Sequence, residues 1–182
     1  KKGTTGLLRK RGKQLGFDVI VVRNQKLHGE AVSSSRIRAL LQWGRVKEAA
    51  ELLERPYSIE GAVVKGAGRG AGLLGTPTAN IATKYEVIPK EGVYAVMARL
   101  GTRAFKGVAN IGTNPTFQGG HGRAENPPGI EVHIMRFRKD IIGEALRVFF
   151  VERIRDEKKF PDAESLREQI EKDVLKAKDI LL

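Results

Sequence analysis

The chain has 182 residues, 41% of them hydrophobic and 30% charged, enough to bury the core of one ordinary domain and too well supplied with apolar side chains for wholesale disorder. It contains no cysteine, which excludes disulfides, thiolate metal sites and thiol nucleophiles and fits a reducing cytoplasm, and it shows neither a signal peptide nor an apolar run of membrane-spanning length. The net charge of +12 invites a nucleic-acid reading, but residues 1–56 hold 13 Lys/Arg against 5 Asp/Glu and residues 57–182 hold 20 against 16, so the excess is concentrated in the first third.

In chain order, residues 1–13 are basic and glycine-punctuated and lead into a short helix near Leu7 to Leu15. "FDVIVV", 17–22, is a β-branched run that reads as a buried strand. Ser33 to Ser35 are placed to cap a helix carrying Ile37, Leu40 and Leu41; Gly44 ends it, and "RVKEAAELLE" forms another before Pro56. The first third therefore reads as α/β. From Tyr57 the texture changes. "YSIEGAVV", "GVYAVMARL" (92–100), "AFKGVANI" (104–111), "IEVHIMRF" (130–137) and "ALRVFFVERI" (145–154) read as strands without intervening helices, which points to an antiparallel barrel or sandwich. Pro161 and Asp162 open a last helix whose stripe of Leu166, Ile170, Val174, Ala177 and Leu181 should pack on it.

Chemistry concentrates in "GAGRGAGLLGTPTAN". Gly66, Gly68, Gly70, Gly72 and Gly75 leave bare backbone that lets N–H groups approach phosphate oxygens, and Arg69 adds a cation. No Walker sequence is present and no helix pattern follows; a hairpin tip accounts for the glycines equally well. Thr78 and Asn80 follow, two apart, and in extended backbone they share a face. Two neutral hard-oxygen donors beside a phosphate loop suit Mg²⁺, although a Thr and an Asn that merely satisfy a turn would look the same. In "IEVHIM", Ile130, Val132 and Ile134 share one face, while Glu131 and His133 share the other. A carboxylate on a rigid strand can take a proton from a substrate hydroxyl, as phosphoryl transfer to an alcohol requires; an ordinary exposed strand carboxylate gives the same pattern. His133 reads as structural or solvent-facing.

The segments "GAGRGAGLLGTPTANI", "GVYAV", "GVANIGTNPTF", "IEVHIM" and "RIRDEKKF…LREQIEKD" resemble, in this order, the riboflavin kinase module. "EAVSSSRIRALLQWGRVKEAAELLERPYSIEG" resembles the junction at which bacterial bifunctional FAD synthetases pass from adenylyltransferase to kinase. The resemblance implies a mainly β fold, a six-stranded antiparallel Greek-key barrel with a C-terminal helix over residues 57–182. It implies in front, over residues 1–56, an α/β remnant of a Rossmann-like nucleotidyltransferase, the FMN adenylyltransferase domain. It implies ATP-dependent phosphorylation of riboflavin at the ribityl 5′-hydroxyl, giving FMN and ADP, with Mg²⁺ bound with ATP.

By that resemblance Glu131 is the catalytic base. Thr78 and Asn80 are metal and ATP ligands, joined in ATP binding by Gly66, Gly68, Arg69, Gly70, Ile134, Arg136 and Ile142. Asn110, Arg155, Lys158 and Phe160 contact the flavin, and Ser34, Ser35 and Arg36 are what remains of the adenylyltransferase site. Three positions depart from the family: Gly72 where Lys or Arg is usual, Thr76 where a bulky apolar residue is usual, and Ile141–Gly143 in place of the usual "LYG" turn. The sequence opens on Lys1 and lacks the adenylyltransferase's upstream histidine motif, so FAD synthesis by this chain alone is not expected, although the parent protein would adenylylate FMN. The expected partners are ATP and riboflavin, with no membrane, and self-association is assigned to the full-length protein. The alternative is a small basic β-barrel that binds single-stranded nucleic acid; aromatics at 6% supply such a surface poorly, and nucleic acid is disfavoured as a partner.

Overall fold

The structure, a computed structural model, describes residues 4–22, 25–27, 29–66, 78–112 and 128–182. Contacts divide the chain into two compact units, residues 1–33 and 34–182. In the first, α1 spans Thr5–Leu15; the Thr4 side chain accepts from the Leu7 N–H at its start, and Gly16, at φ 76°, closes it. Two residue pairs form a short antiparallel ladder, β1 (Lys26–Leu27) with β2 (Glu30–Ala31). The strand expected over 17–22 is not formed. Phe17, Ile20, Val21 and Val22 are between 41% and 88% exposed. A β-branched run becomes a strand only where a neighbouring strand satisfies its backbone, and no described segment pairs with it. The described part of this unit therefore holds no parallel sheet of the nucleotidyltransferase kind.

The second unit opens with α2 (Ser34–Gln42) and α3 (Val46–Leu53), joined through Gly44 at φ 76°. Leu40, Leu41, Val46 and Ala49 bury the apolar faces of this helical hairpin. It packs on the barrel, where the Lys90 N–H donates to the Leu41 carbonyl at 2.9 Å.

Six strands follow: β3 (Tyr57–Val64), β4 (Thr78–Ala82), β5 (Gly92–Leu100), β6 (Arg103–Gly112), β7 (Gly129–Ile134) and β8 (Ala145–Arg155). They close into a barrel in the order β3-β4-β7-β6-β5-β8, every pairing antiparallel. The order 4-7-6-5-8 contains two overlapping Greek keys, as the family resemblance implies. Of the five strands read from the sequence beyond Tyr57, four keep their place within a residue or so. The other, expected over 130–137, ends at Ile134, because Arg136 turns the chain at φ 55°.

Alternation decides the core. Val63, Ile81, Ile130 and Ile111 form one inward row, and Ala79, Val132 and Ala109 form the next. Tyr94 and Phe150 meet edge to face at 5.4 Å within the barrel. The C-terminal helix α4 (Ala163–Ile180), capped by the Asp162 carboxylate on the Ser165 N–H at 2.7 Å, covers part of the outside. Its Ala177 and Val174, with Leu181 just beyond, pack on outward-facing Val93, Ala95 and Val108.

Tyr57 closes one end of β3, donating its hydroxyl to the Val87 carbonyl at 2.6 Å. Burial, and then neighbouring Tyr85, pushes this phenol above its usual 10.0 against the pull of Arg55. A raised phenol contributes stability that is complete below the unfolded value and is lost as pH rises through the folded one. Tyr57→Phe should therefore lower stability by about 1 kcal/mol at neutral pH and flatten its decline above pH 10, as read from urea midpoints across pH.

Candidate active site

β4, β7 and β6 lie side by side, and their register aligns the polar residues singled out in the sequence. Asn80 faces Glu131, and Glu131 faces Asn110. The same rung continues through Val93 to Arg155 on β8, and in the other direction to Val64 on β3. Directly paired residues carry their Cβ atoms about 5 Å apart on one face. Glu131 is thus flanked by two carboxamides on the outer surface, while its neighbours Ile130 and Val132 are inside the barrel. One step along, Thr78 faces His133, which faces Val108. Burial holds the His133 imidazole below its ordinary value, so it adds no cation beside Glu131 at neutral pH.

Asn80 is 5% exposed. Gly66 lies flat against its side-chain amide, where a Cβ would overlap it. Next to this contact opens a cleft of about 290 Å³. Lys65, Gly66, Thr78, Ile134, Phe137 and Ile142 line it, together with Arg138 and Lys139. Ile142 is 57% exposed, and the Asp140 carboxylate holds the turn before it by accepting from the Ile142 N–H at 2.9 Å. The turn is fastened to β3, as Gly143 donates to the Val63 carbonyl and Val63 donates to that of Glu144, both at 2.8 Å.

At the other end of the rung, Arg155 leaves β8 and meets α4. Its Nη2 donates to Asp173 Oδ2 at 2.7 Å and its Nε to both oxygens at 3.0 Å, with the Asp173 side chain only 4% exposed. The same guanidinium lies 5.8 Å from the Phe160 ring centroid, and Lys158 lies 5.0 Å from it. Lys158 donates to Gln169 at 2.8 Å, and Gln169 donates to Asp173 at 2.9 Å. Residues 155–160 are therefore held by one network on the first turns of α4.

The structure thus unites Thr78, Asn80, Glu131, Asn110 and Arg155 on the outside of the barrel and puts Gly66, Ile134 and Ile142 around one cleft. Arg136 sits in the turn after β7 and does not line that cleft. Gly68, Arg69, Gly70, Gly72 and Thr76 lie outside the described residues, as does most of the 112–129 loop. Ser34, Ser35 and Arg36 occupy the first turn of α2 and take no part in the rung. The sequence reading missed Phe137, Lys139, Gln169 and Asp173. Phe137 was assigned to a strand that ends three residues earlier. Gln169 and Asp173 carried a legible signal, two polar residues four apart beside an apolar helical stripe.

A family model described as riboflavin kinase matches residues 53–181. The chain belongs to the riboflavin kinase family. It is similar to the bifunctional riboflavin kinase/FMN adenylyltransferase of Haemophilus influenzae, 39% identical over 98% of this chain and 56% of that one. To the Bacillus subtilis protein of the same name it is 42% identical over 78% of this chain and 44% of that one. The chain thus spans about half the length of the curated relatives it matches. Among solved structures, one described as a macrolide-efflux protein from Streptococcus pneumoniae superposes with a TM-score of 0.80 at 33% identity, covering 97% of this chain and 55% of that one. Among the described residues no helix is long and apolar enough to cross a membrane, and no group of three or more His, Cys, Asp or Glu is arranged to hold a metal ion.

Removing the Asp173 carboxylate would leave the Arg155 guanidinium partly buried and unpaired. Asp173→Ala is expected to cost about 2–4 kcal/mol in urea unfolding, at the lower side of buried-pair losses because Arg155 keeps some solvent.

Proposed function

We propose that this chain transfers the γ-phosphoryl group of ATP to the ribityl 5′-hydroxyl of riboflavin, giving FMN and ADP. The observation that carries the reading is the rung Asn80–Glu131–Asn110, set between the cleft at Gly66 and the segment 155–160. Family membership supports it, and so do relatives whose names include riboflavin kinase.

The cleft lining contains both kinds of surface a nucleotide requires. Ile134, Phe137 and Ile142 offer apolar surface to a base, and Lys65, Arg138 and Lys139 offer charge to phosphates. The Thr78 hydroxyl and the Asn80 carboxamide supply neutral oxygens on one face, and bare Gly66 lets the backbone lie directly on the Asn80 amide and fix its position. This donor set suits Mg²⁺ already balanced by phosphate oxygens, and the ion would there neutralise charge on the transferring group. Glu131 accepts the proton of the 5′-hydroxyl as the bond from that oxygen to the γ-phosphorus forms and the bond from phosphorus to the β–γ bridging oxygen breaks. Burial keeps His133 uncharged at neutral pH, so it adds no cation of its own beside that carboxylate. Positioning dominates phosphoryl transfer, and fixed strand register provides it.

The flavin is assigned to the face beyond Asn110, against Arg155, Lys158 and Phe160. Residues 1–56 are assigned to the end of an adenylyltransferase half, a reading supported by alignment to the Haemophilus influenzae protein over 98% of this chain. The cytoplasm is the compartment in which this chemistry is expected. No observation favours the nucleic-acid alternative.

FMN formation with Mg-ATP is the direct test. Glu131→Gln should reduce turnover by roughly 10²–10⁴-fold while leaving thermal unfolding nearly unchanged. Equal rates in parent and variant would remove Glu131 from the role of base. Gly66→Ala, which forces Asn80 aside, should raise the KM for ATP and lower kcat; an unchanged KM would show that the Asn80 position does not matter to nucleotide binding.

A further inference from the structure

One side-chain step beyond the rung, along β6 and β7, Gly112 sits opposite Gly129. The outer face is bare at this point, and Glu157 occupies the space. A Cβ on Gly112 would overlap the Glu157 carboxylate, and its three nearest atoms would all belong to that side chain. Glu157 lies between Arg155, held by Asp173, and Lys158, held by Gln169, so its backbone is fixed by the α4 network. Its own carboxylate is exposed and makes no hydrogen bond or ion pair among the described residues.

We propose that Glu157 is a specificity-determining residue that reads the secondary hydroxyls of the ribityl chain. The proposal rests on the riboflavin reading above. Two residues along a strand span about 6.8 Å, so Glu157 stands about one pentitol chain from Glu131 on the same face. With the 5′-hydroxyl at Glu131, the hydroxyls nearer the ring run past Glu157. An ionised carboxylate only accepts hydrogen bonds, and its two oxygens suit a pair of neighbouring hydroxyl donors. Among the described residues it has no ion partner to give up. The two carboxylates divide the work along one polyol, Glu131 at its reacting end and Glu157 along its length.

The test compares parent, Glu157→Gln, Gly112→Ala and the double variant. Two flavins are used, riboflavin and its 10-(5-hydroxypentyl) analogue, which keeps only the terminal hydroxyl. Binding is read from flavin fluorescence quenching, and KM and kcat from phosphorylation. Glu157→Gln should weaken riboflavin binding and raise its KM by about 10-fold, with a smaller effect on kcat, and leave the analogue's binding unchanged. Gly112→Ala should displace the carboxylate and reproduce this, and the double variant should add nothing further. Riboflavin binding equal to the parent's in Glu157→Gln, or equal losses for both flavins, would overturn the proposal. A parent that binds riboflavin without phosphorylating it would sink the kinase reading, while the binding comparison would still decide the role of Glu157. A parent that binds no riboflavin would overturn both.

Discussion

Ladder hydrogen bonds between β4, β7 and β6 are the constraint on which the site depends. They set Asn80 opposite Glu131 and Glu131 opposite Asn110. A one-residue slip of β7 would turn Glu131 into the barrel and put Ile130 and Val132 in water. The inward rows make that slip costly, because Ile81, Ile130 and Ile111 are all within 4% of complete burial. Closure adds to the effect. In an open sheet an end strand could drift, whereas here β3 pairs with both β4 and β8 and no barrel strand is left at an edge. The same apolar packing that stabilises the barrel therefore aims the polar side chains outward.

A second consequence of closure is that the outer face is shared. Part of it is covered by α4, through Val93, Ala95 and Val108, and the adjoining part carries Asn110 and Glu131. The helix thus borders the site as well as covering apolar surface. Asp173 is the join: it is nearly buried, it lies on the helix face that packs inward, and it takes the guanidinium that ends the rung. A buried ion pair is weak evidence of net stability against an apolar alternative, but its directional hydrogen bonds fix where the chain goes after β8. That places residues 156–160 alongside the bare patch at Gly112.

Five of the six barrel strands were legible as apolar, β-branched runs bounded by turn residues, and β4 was not read as one. The last helix was legible from its stripe and its Asp162 cap, and the outward direction of Glu131 from the pattern of its neighbours. Two elements were misread, each for its own reason. The run at 17–22 has strand composition without a pairing partner among the described residues, and the end of β7 depends on Arg136 entering left-handed backbone, which composition does not announce. Phe137 moved from an expected strand to a cleft wall as a result, where it meets Phe105 at 5.0 Å.

By itself the sequence determined which residue types were available and which way each strand faces, since both follow from local chemistry and a two-residue period. It also carried the family resemblance, through motifs spaced along nearly the whole chain. Only the tertiary structure decided that Asn80, Asn110 and Arg155 share the rung of Glu131, that Gly66 lies on Asn80, and that Glu157 lies on Gly112. These residues are separated by tens of positions. Their meeting is set by the order in which six strands close and by the register of each pair, which are properties of the packed barrel and of no single segment.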